Sequence, residues 1–313
     1  MFLPKSGGKK VMRQLGFIFS GLMLWVLAGQ AAPAQDMPVD LELALGIDVS
    51  GSVDDEEAML QRHGYITAFR DPAVIRAIEH GILGRIAVAY YEWAGYGHMR
   101  IISDWTLIDG AAAAQSLAES LEQNPPQTAH RTAISSAIDF AVTYFDLNDF
   151  EGTRRVVDIS GDGANNWGGP VTESRDRAVA QGIIINGLPI VNDRPGPSGR
   201  PQQADLDLYY EECVIGGPGA FIVVANSFPE FAEAVRRKLI IEIAGLARPD
   251  PDVGADLERA EPHARLPGHE LDGATEAGGV ARGEQVLGRG RAGPARAAHC
   301  LRNREIDIDD AVG

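Results

Sequence analysis

The sequence predicts an α/β fold, in which a doubly wound, mainly parallel six-stranded sheet has one antiparallel edge strand and helices on both faces. Two observations carry this prediction. Short apolar runs bounded by Gly, Ser and Asp alternate with longer segments whose apolar residues recur at helical spacing. Such alternation is typical of parallel strands joined by helices that cover both faces of the sheet. The chain has 313 residues and is 45% apolar, so it can bury a core of this size.

The first half of the pattern begins with an apolar strand at 41–48, which ends in a cluster of Asp, Ser and Gly. Residues 54–70 are predicted to be a helix, because acidic residues occupy the first turn and apolar residues follow at helical spacing. Residues 85–93 form the second strand. Residues 98–105 form the third, which pairs with the second through a Gly-Tyr-Gly turn and is therefore antiparallel to it.

The second half continues the alternation as far as about residue 245. Its expected helices are 109–123, 132–145, 172–181, 206–214 and 229–244, and its expected strands are 154–160, 182–190 and 220–225. The helix that begins at 109 stops at Asn124-Pro125-Pro126, and Pro229 opens the last helix, where a missing N–H costs nothing. The Pro- and Gly-rich stretch 192–203 is a loop.

The start of the chain has the pattern of an export signal. Basic residues precede an apolar run from Leu15 to Ala28, and the small residues of Ala32-Pro33-Ala34 follow. We therefore predict a secretory signal peptide at 1–34. An uncleaved membrane anchor is the alternative, but the apolar run is short for a bilayer core, which needs roughly 20 residues.

The end of the chain departs from the alternating pattern. Residues 246–313 are dense in Ala, Gly and Arg, with few aromatic residues and no sustained periodicity. We expect either a disordered tail or a stretch translated in a shifted reading frame. The folded mature domain is accordingly expected at 35–245.

Charge and cysteine content narrow the function classes. The formal net charge is -16 and the sequence pI is about 4.8. Such a surface repels phosphate backbones, so we expect no nucleic-acid partner. The two cysteines, Cys213 and Cys300, lie far apart in sequence and lack zinc-ligand spacing. We expect no bridge between them and interpret Cys213 as a buried thiol.

Polar residues follow two of the predicted strands at their carboxyl ends, where open α/β sheets bind ligands. Asp48, Ser50 and Ser52 follow the first strand, and Asp162 follows the fourth. Thr132 lies between them in sequence and opens a helix. We expect these side chains to meet at one edge of the sheet.

Together these motifs resemble the metal-ion-dependent adhesion site (MIDAS) of von Willebrand factor A and integrin I domains. The likeness covers roughly residues 39–245. Segments 90–93 (Tyr-Tyr-Glu-Trp) and 160–166 (Ser-Gly-Asp-Gly-Ala-Asn-Asn) look like an uncharacterised bacterial secreted branch of that superfamily. The resemblance implies a Rossmann-like fold and a divalent metal ion. The implied metal ligands are Asp48, Ser50, Ser52, Thr132 and Asp162. Glu92 ends the second strand where many relatives carry a Ser-Asp pair, and its role stays open between supporting the site and facing solvent.

The chemistry of this ligand set suits Mg²⁺, with Mn²⁺ or Ca²⁺ as alternatives. Two carboxylates roughly neutralise a divalent cation, and the hydroxyl oxygens add no charge, so the ion stays electrophilic. An open coordination position then accepts a carboxylate from a partner. The resemblance thus implies an exported, periplasmic or secreted module that binds a protein through its Asp or Glu, with no membrane span after signal cleavage.

Simpler interpretations remain beside this one. Asp48, Ser50, Ser52 and Thr132 are also residue types that cap helices. Thr128 competes with Thr132 as the third hydroxyl, and Asp158 competes with Asp162 as the second carboxylate. A structural module with a vestigial site is therefore an alternative function.

An enzyme is the other alternative, as a metal-dependent phosphoester hydrolase with Asp48 as nucleophile or metal ligand. Aspartate-based phosphatases need a second Asp two residues on, and Ser50 stands there. The sequence also contains no lysine between Lys10 and Lys238 to steady a phosphoryl group, and it has no Gly-x-Ser-x-Gly or Gly-Lys-Ser/Thr motif. We therefore expect binding and no catalysis.

Overall fold

A computed structural model of the chain describes residues 36–95, 97–191, 203, 205–227, 230–245 and Cys300. The predicted signal peptide at 1–34, the loop at 192–202 and the tail at 246–313 apart from Cys300 lie outside the described residues. Their assignments, and the domain limits that depend on them, therefore stay predictions.

The described strands are β1 (Met37–Val39), β2 (Glu42–Asp48), β3 (Ile86–Trp93), β4 (Met99–Ile108), β5 (Phe150–Gly152), β6 (Arg155–Gly161) and β7 (Ile183–Pro189). The helices are α1 (Asp55–Arg70), α2 (Pro72–Glu79), α3 (Ala111–Gln123), α4 (Ile134–Phe145), α5 (Val171–Ala180), α6 (Leu206–Tyr209) and α7 (Phe231–Ala244). A short π-helix, Tyr210–Val214, continues α6.

The main sheet has five strands in the order β4-β3-β2-β6-β7. Only β3 and β4 pair antiparallel, so β4 is the predicted antiparallel edge strand. The predicted α/β architecture with a mostly parallel sheet is confirmed. Strands β1 and β5 form a separate parallel pair that was not predicted from the sequence.

The prediction of six strands in this sheet is wrong, because a proline interrupts the last one. Residues 220–225 run beside β7 in a single parallel register but make only two isolated bridges, at Gly187 and at Ile190. Between those bridges the register requires the residue at position 189 to donate its N–H to the carbonyl of Val223. That residue is Pro189, which has no N–H, so the ladder breaks there.

Two apolar layers cover the sheet, one on each face. Alternate residues of β2 point to opposite sides, with Leu43 and Leu45 in one layer and Ala44 in the other. The first layer contains the buried faces of α1, α2, α3 and α7, and the second contains those of α4, α5 and the π-helix. Helices therefore cover both faces, as the sequence predicts. Within the described ranges no helix is both long enough and apolar enough to cross a bilayer.

Candidate metal-binding site

The candidate site begins at the carboxyl end of β2, in the centre of the sheet. Asp48 is fully buried, and its Oδ1 accepts a hydrogen bond from the backbone N–H of Ser50 at 2.7 Å. The turn that follows brings the Oγ atoms of Ser50 and Ser52 to 3.0 Å from each other. Both hydroxyls thus lie on the same side of the strand end.

Two other segments complete the cluster. The Ser52 hydroxyl donates to Oδ1 of Asp162 at 2.6 Å, just after β6, and Thr132 Oγ1 donates to Ser50 Oγ at 3.2 Å, just before α4. The structure therefore brings all five side chains predicted as metal ligands into one hydrogen-bonded group. We call this group, Asp48, Ser50, Ser52, Thr132 and Asp162, the strand-end cluster.

Asp48 is the electrostatically unfavourable member of the cluster. Burial and the nearby Asp162 carboxylate raise the pKa of Asp48 well above its usual range. Its Oδ2 is buried and has no hydrogen-bond partner among the described residues. A Cβ atom on Gly161 would lie 2.7 Å from this oxygen, so the glycine lets the backbone of β6 approach the carboxylate closely.

The residues of the cluster fit a divalent cation. They supply two carboxylates and three neutral hydroxyls, which are oxygen ligands of the kind that Mg²⁺ and Ca²⁺ take. A cation beside Asp48 would neutralise the two carboxylates and satisfy the buried Oδ2. In the described part of the chain, no three His, Cys, Asp or Glu side chains meet in a metal-sized group.

The simplest alternative role for Asp48, Ser50 and Ser52 is to cap the start of α1. A different residue caps this helix. Asp54 is the N-cap of α1, with its Oδ1 accepting from the N–H of Glu57 at 2.8 Å. The Glu57 carboxylate accepts in turn from the N–H of Asp54 at 3.1 Å, which completes a capping box. Asp48, Ser50 and Ser52 are therefore not needed to cap the start of the helix.

The start of α4 is likewise capped from outside. Asn165 Oδ1 accepts from the N–H of Ser135 at 3.0 Å, and Asn166 Oδ1 accepts from the N–H of Thr132 at 2.8 Å. These asparagines hold the loop of Thr132 against the loop of Asp162. The hydroxyl of Thr132 is left to face Ser50.

Thr128 and Asp158, the alternative candidates for the cluster, both form their contacts with other residues. Thr128 Oγ1 donates to Oδ1 of Asp55 at 3.1 Å, outside the cluster. Asp158 lies in the interior, where Lys238 Nζ approaches its Oδ1 to 2.7 Å and also donates to Glu242. Burial and Glu242 raise the pKa of Asp158 to about 7, although Lys238 opposes the shift. Neither rival therefore adds an oxygen to the strand-end cluster.

Glu92 faces two arginines and does not face solvent. Its side chain is 1% exposed and forms ion pairs with Arg62, which is also buried, and with Arg100 at 3.0 Å. Both arginines also donate to backbone carbonyls at the end of α3, Arg62 to Asn124 and Arg100 to Pro125. This group of three charged side chains anchors the start of the loop that leads to Thr132. The sequence does not predict it, because the two arginines are distant from each other along the chain.

The aromatic residues near the cluster differ in exposure. Trp93 is fully buried in the core, where it pairs with Asp48 across β2 and β3. Trp167 is 46% exposed, and its backbone N–H donates to the carbonyl of Thr132 at 3.1 Å. Only Trp167 of this pair therefore lies at the surface beside the cluster.

The prediction that Cys213 is an unpaired buried thiol is wrong. Cys213 and Cys300 form a disulfide with Cα atoms 5.7 Å apart, across a sequence separation of 87 residues. Cys213 lies in the π-helix, three residues after Tyr210, whose hydroxyl lies beside Gly161. A large sequence separation does not exclude a disulfide, because the entropic cost of closing a loop rises only slowly with its length, and the pairing was missed for that reason.

The protein is thus an α/β domain with a polar cluster at the carboxyl ends of its central strands, β2 and β6. The chain belongs to a family described as a protein of unknown function (DUF1194), whose model matches residues 38–247. A search of the curated proteins found no match.

Several solved structures are similar to the chain at low identity. Proximal thread matrix protein 1 from the mussel byssus is 14% identical over 67% of this chain and 49% of its own, with a TM-score of 0.48. A von Willebrand factor type A protein from Catenulispora acidiphila is 14% identical over 66% of this chain and 43% of its own, with a TM-score of 0.44. BatB from Bacteroides thetaiotaomicron is 17% identical over 66% of this chain and 99% of its own, with a TM-score of 0.41.

The chain thus spans about half the length of the mussel protein, which another structure shows with zinc in its MIDAS motif. The predicted membership in a family of unknown function is confirmed, and the resemblance of that family to von Willebrand factor A domains stays a prediction.

Proposed function

We propose that the chain is an exported module that binds a protein ligand through a divalent metal ion held by the strand-end cluster. One observation carries the proposal. Four polar side chains from three segments surround the buried carboxylate of Asp48, one oxygen of which has no partner among the described residues, while other residues cap the neighbouring helices. Such a costly arrangement is expected where a ligand completes it.

The proposed ligands of the ion are Asp48, Ser50, Ser52, Thr132 and Asp162, and the proposed ion is Mg²⁺, with Mn²⁺ or Ca²⁺ as alternatives. When bound, the ion supplies an electrophilic position that accepts an Asp or Glu carboxylate of the partner. Among the chain's own residues, Asn165 and Asn166 fix the loop of Thr132 relative to that of Asp162. The site is thereby organised before the partner arrives.

Binding is favoured over hydrolysis by the position of Lys238. This first lysine after Lys10 is 1% exposed and pairs with Asp158 and Glu242 inside the core. It therefore cannot steady a phosphoryl group at the strand ends. We propose that the chain is not an enzyme and that its ligand is a protein.

Export is supported by the disulfide between Cys213 and Cys300. Disulfides form and persist in oxidising compartments such as the periplasm or the extracellular space. The disulfide therefore supports the proposal of a signal peptide at residues 1–34 and of a periplasmic or secreted protein.

The test is thermal unfolding of the chain from Gln35 to Gly313 in EDTA and then with Mg²⁺, Mn²⁺ or Ca²⁺. An ion at one hundred times its Kd stabilises the fold by about 2.7 kcal/mol, which corresponds to a rise of roughly 5–10 °C in the unfolding midpoint. We expect this rise in the wild type and its loss in Asp162→Asn.

Asp146→Asn is the matched control, because that carboxylate is 72% exposed and lies outside the cluster. It should keep the full rise. No rise with any ion in the wild type would contradict the metal-dependent function and leave a structural module.

A further inference from the structure

Tyr210 places a buried hydroxyl beside Asp48 of the strand-end cluster. The residue is fully buried, and its hydroxyl has no hydrogen-bond partner among the described residues. A Cβ atom on Gly161 would lie 2.9 Å from this hydroxyl and 2.7 Å from Oδ2 of Asp48, which lacks a partner in the same ranges. The two unsatisfied oxygens therefore face the same small space, in front of the last residue of β6.

The sheet explains why the two side chains meet. Side chains alternate along β2, so Asp48 points to the same face as Ala44, which lies in the apolar layer of α4, α5 and the π-helix. Tyr210 belongs to that layer as the first residue of the π-helix. A Cβ atom on Gly187 of β7 would come within 2.7 Å of Cδ1 of Tyr210. The ring therefore lies close to the backbone of β7, and its hydroxyl reaches the end of β6.

The π-helix that carries Tyr210 is held in place by contacts along its length. The N–H of Ile215 donates to the Tyr210 carbonyl at 3.0 Å, which closes the wide turn of this helix. Arg175 donates to the Cys213 carbonyl at 3.2 Å, and Cys213 forms the disulfide with Cys300. Single-turn π-helices occur frequently at functional sites. The position of the Tyr210 hydroxyl is thus fixed by the backbone that carries it.

The chemistry of the hydroxyl suits a hydrogen bond to a metal-binding carboxylate. Burial and the Asp48 carboxylate raise the pKa of Tyr210 well above its usual range, so the phenol keeps a proton to donate. Carboxylates that hold a metal ion are themselves hydrogen-bonded by neighbouring groups, which fix their direction. The Ser50 N–H already donates to Oδ1 of Asp48, so the oxygen that still needs a donor is Oδ2.

We infer that Tyr210 is a positioning residue of the metal site, whose hydroxyl donates to Oδ2 of Asp48, directly or through one water, when the ion is bound. This inference rests on the proposed function and adds a side chain that does not itself bind the ion. The Ser50 N–H and the Tyr210 hydroxyl then hold the carboxylate by its two oxygens. The direction of Asp48 toward the ion is thereby fixed.

The experiment compares Tyr210→Phe with the wild type, both as the chain from Gln35 to Gly313. The change removes the hydroxyl and keeps the ring. Titration calorimetry with Mg²⁺, Mn²⁺ and Ca²⁺ should show about tenfold weaker binding of the ion that the wild type prefers, the lower end of the effect of such hydrogen-bond partners on metal affinity. The unfolding midpoint in EDTA should not fall, because the hydroxyl has no hydrogen bond to lose within the described ranges.

A second measurement follows the hydroxyl itself. The ultraviolet absorbance of a tyrosine shifts when its hydroxyl gains a hydrogen bond. Addition of the ion to the wild type should therefore produce a tyrosine difference spectrum, and Tyr210→Phe should lose it.

Tyr65→Phe is the matched control. Tyr65 is also fully buried, with a buried hydroxyl, but it lies in the other apolar layer, where its ring packs against those of Tyr90 and Phe231. The same chemical change is thus made on the opposite face of the sheet. This variant should keep both the wild-type affinity for the ion and the difference spectrum.

The outcomes separate this inference from the proposed function. Wild-type affinity and an unchanged difference spectrum in Tyr210→Phe would overturn the role of Tyr210 and leave the metal-dependent function intact. A lower midpoint of this variant in EDTA would assign the hydroxyl to the stability of the metal-free fold and would also overturn the inference. If the wild type bound none of the three ions, the proposed function would be wrong and this inference with it.

Discussion

Asp48 shows how a single buried carboxylate can indicate a binding site. Full burial and the neighbouring Asp162 both disfavour its charged form, and one of its oxygens has no partner among the described residues. A residue that served stability alone would be expected to be better satisfied. The unfavourable energy is consistent with a ligand that binds there.

A prediction at this scale concerns Asp48→Asn, which removes the buried charge without changing the size of the side chain. In EDTA we expect the unfolding midpoint to rise by roughly 3 °C, as about 1 kcal/mol of stabilisation would produce. With Mg²⁺ the further rise seen in the wild type should be lost. Calorimetry in both buffers measures this, and a fall of the midpoint in EDTA would mean that Asp48 stabilises the metal-free fold.

The members of the cluster could be predicted from the sequence because apolar runs show clearly where the strands end. The polar residues that follow these strand ends then meet at one edge of the sheet. The choice of Thr132 over Thr128 followed from the start of a helical pattern, and the structure places Thr132 beside Ser50. Asn165 and Asn166 could not be assigned, because turn residues and loop anchors have the same composition. Their roles appear only when the two loops are seen together.

At the scale of elements, short segments and prolines explain the differences between prediction and structure. Helix α2 was missed although Asp71 and Pro72 are a cap and a first-turn proline, a signal that the sequence does contain. Strands β1 and β5 have three residues each, too few for periodicity to show. The sixth strand was predicted from its own apolar residues, but Pro189 on the neighbouring strand interrupts it.

A second prediction concerns the packing of α1 on α7. A Cβ atom on Gly64 would lie 2.7 Å from Cδ1 of Phe231, which is fully buried. Gly64→Ala gains helix propensity of about 1 kcal/mol, but the overlap costs roughly 1–3 kcal/mol. We therefore expect the unfolding midpoint to fall by a few degrees.

The matched control is Gly169→Ala, since a Cβ there has no neighbouring atom within 4 Å. It should leave the midpoint unchanged. If Gly64→Ala were as stable as the wild type, α7 would have to move away from α1 without loss of energy.

The whole molecule buries an ionic group on the side of the sheet that α1 and α7 cover. Lys238 and Glu242 of α7 meet Asp158 of β6, and Asn186 of β7 donates to Glu242 at 2.8 Å. Lys238 also lies 5.3 Å from the centre of the Phe221 ring. Because burial makes this group sensitive to proton binding, it links the stability of the whole domain to pH.

We expect stability to fall as pH rises from about 4 to about 7. The pKa of Asp158 is about 7 in the folded protein and about 4 when unfolded, so the folded state holds the extra proton across this range. The stabilisation is complete below the unfolded pKa and is lost as pH passes the folded pKa. Asp158→Asn should flatten this part of the curve, which urea unfolding at several pH values measures. An unchanged slope in that variant would assign the pH dependence to other carboxylates.

The disulfide gives the molecule a covalent topology that differs from that of a linear chain. Residues 213 to 300 form a closed ring, and α7 is part of that ring. A single cut of the backbone anywhere in the ring would leave the two pieces joined, so a nicked protein would migrate as one species without reductant and as two with it. A chain shortened before Cys300 would lose the ring and leave Cys213 without its disulfide partner.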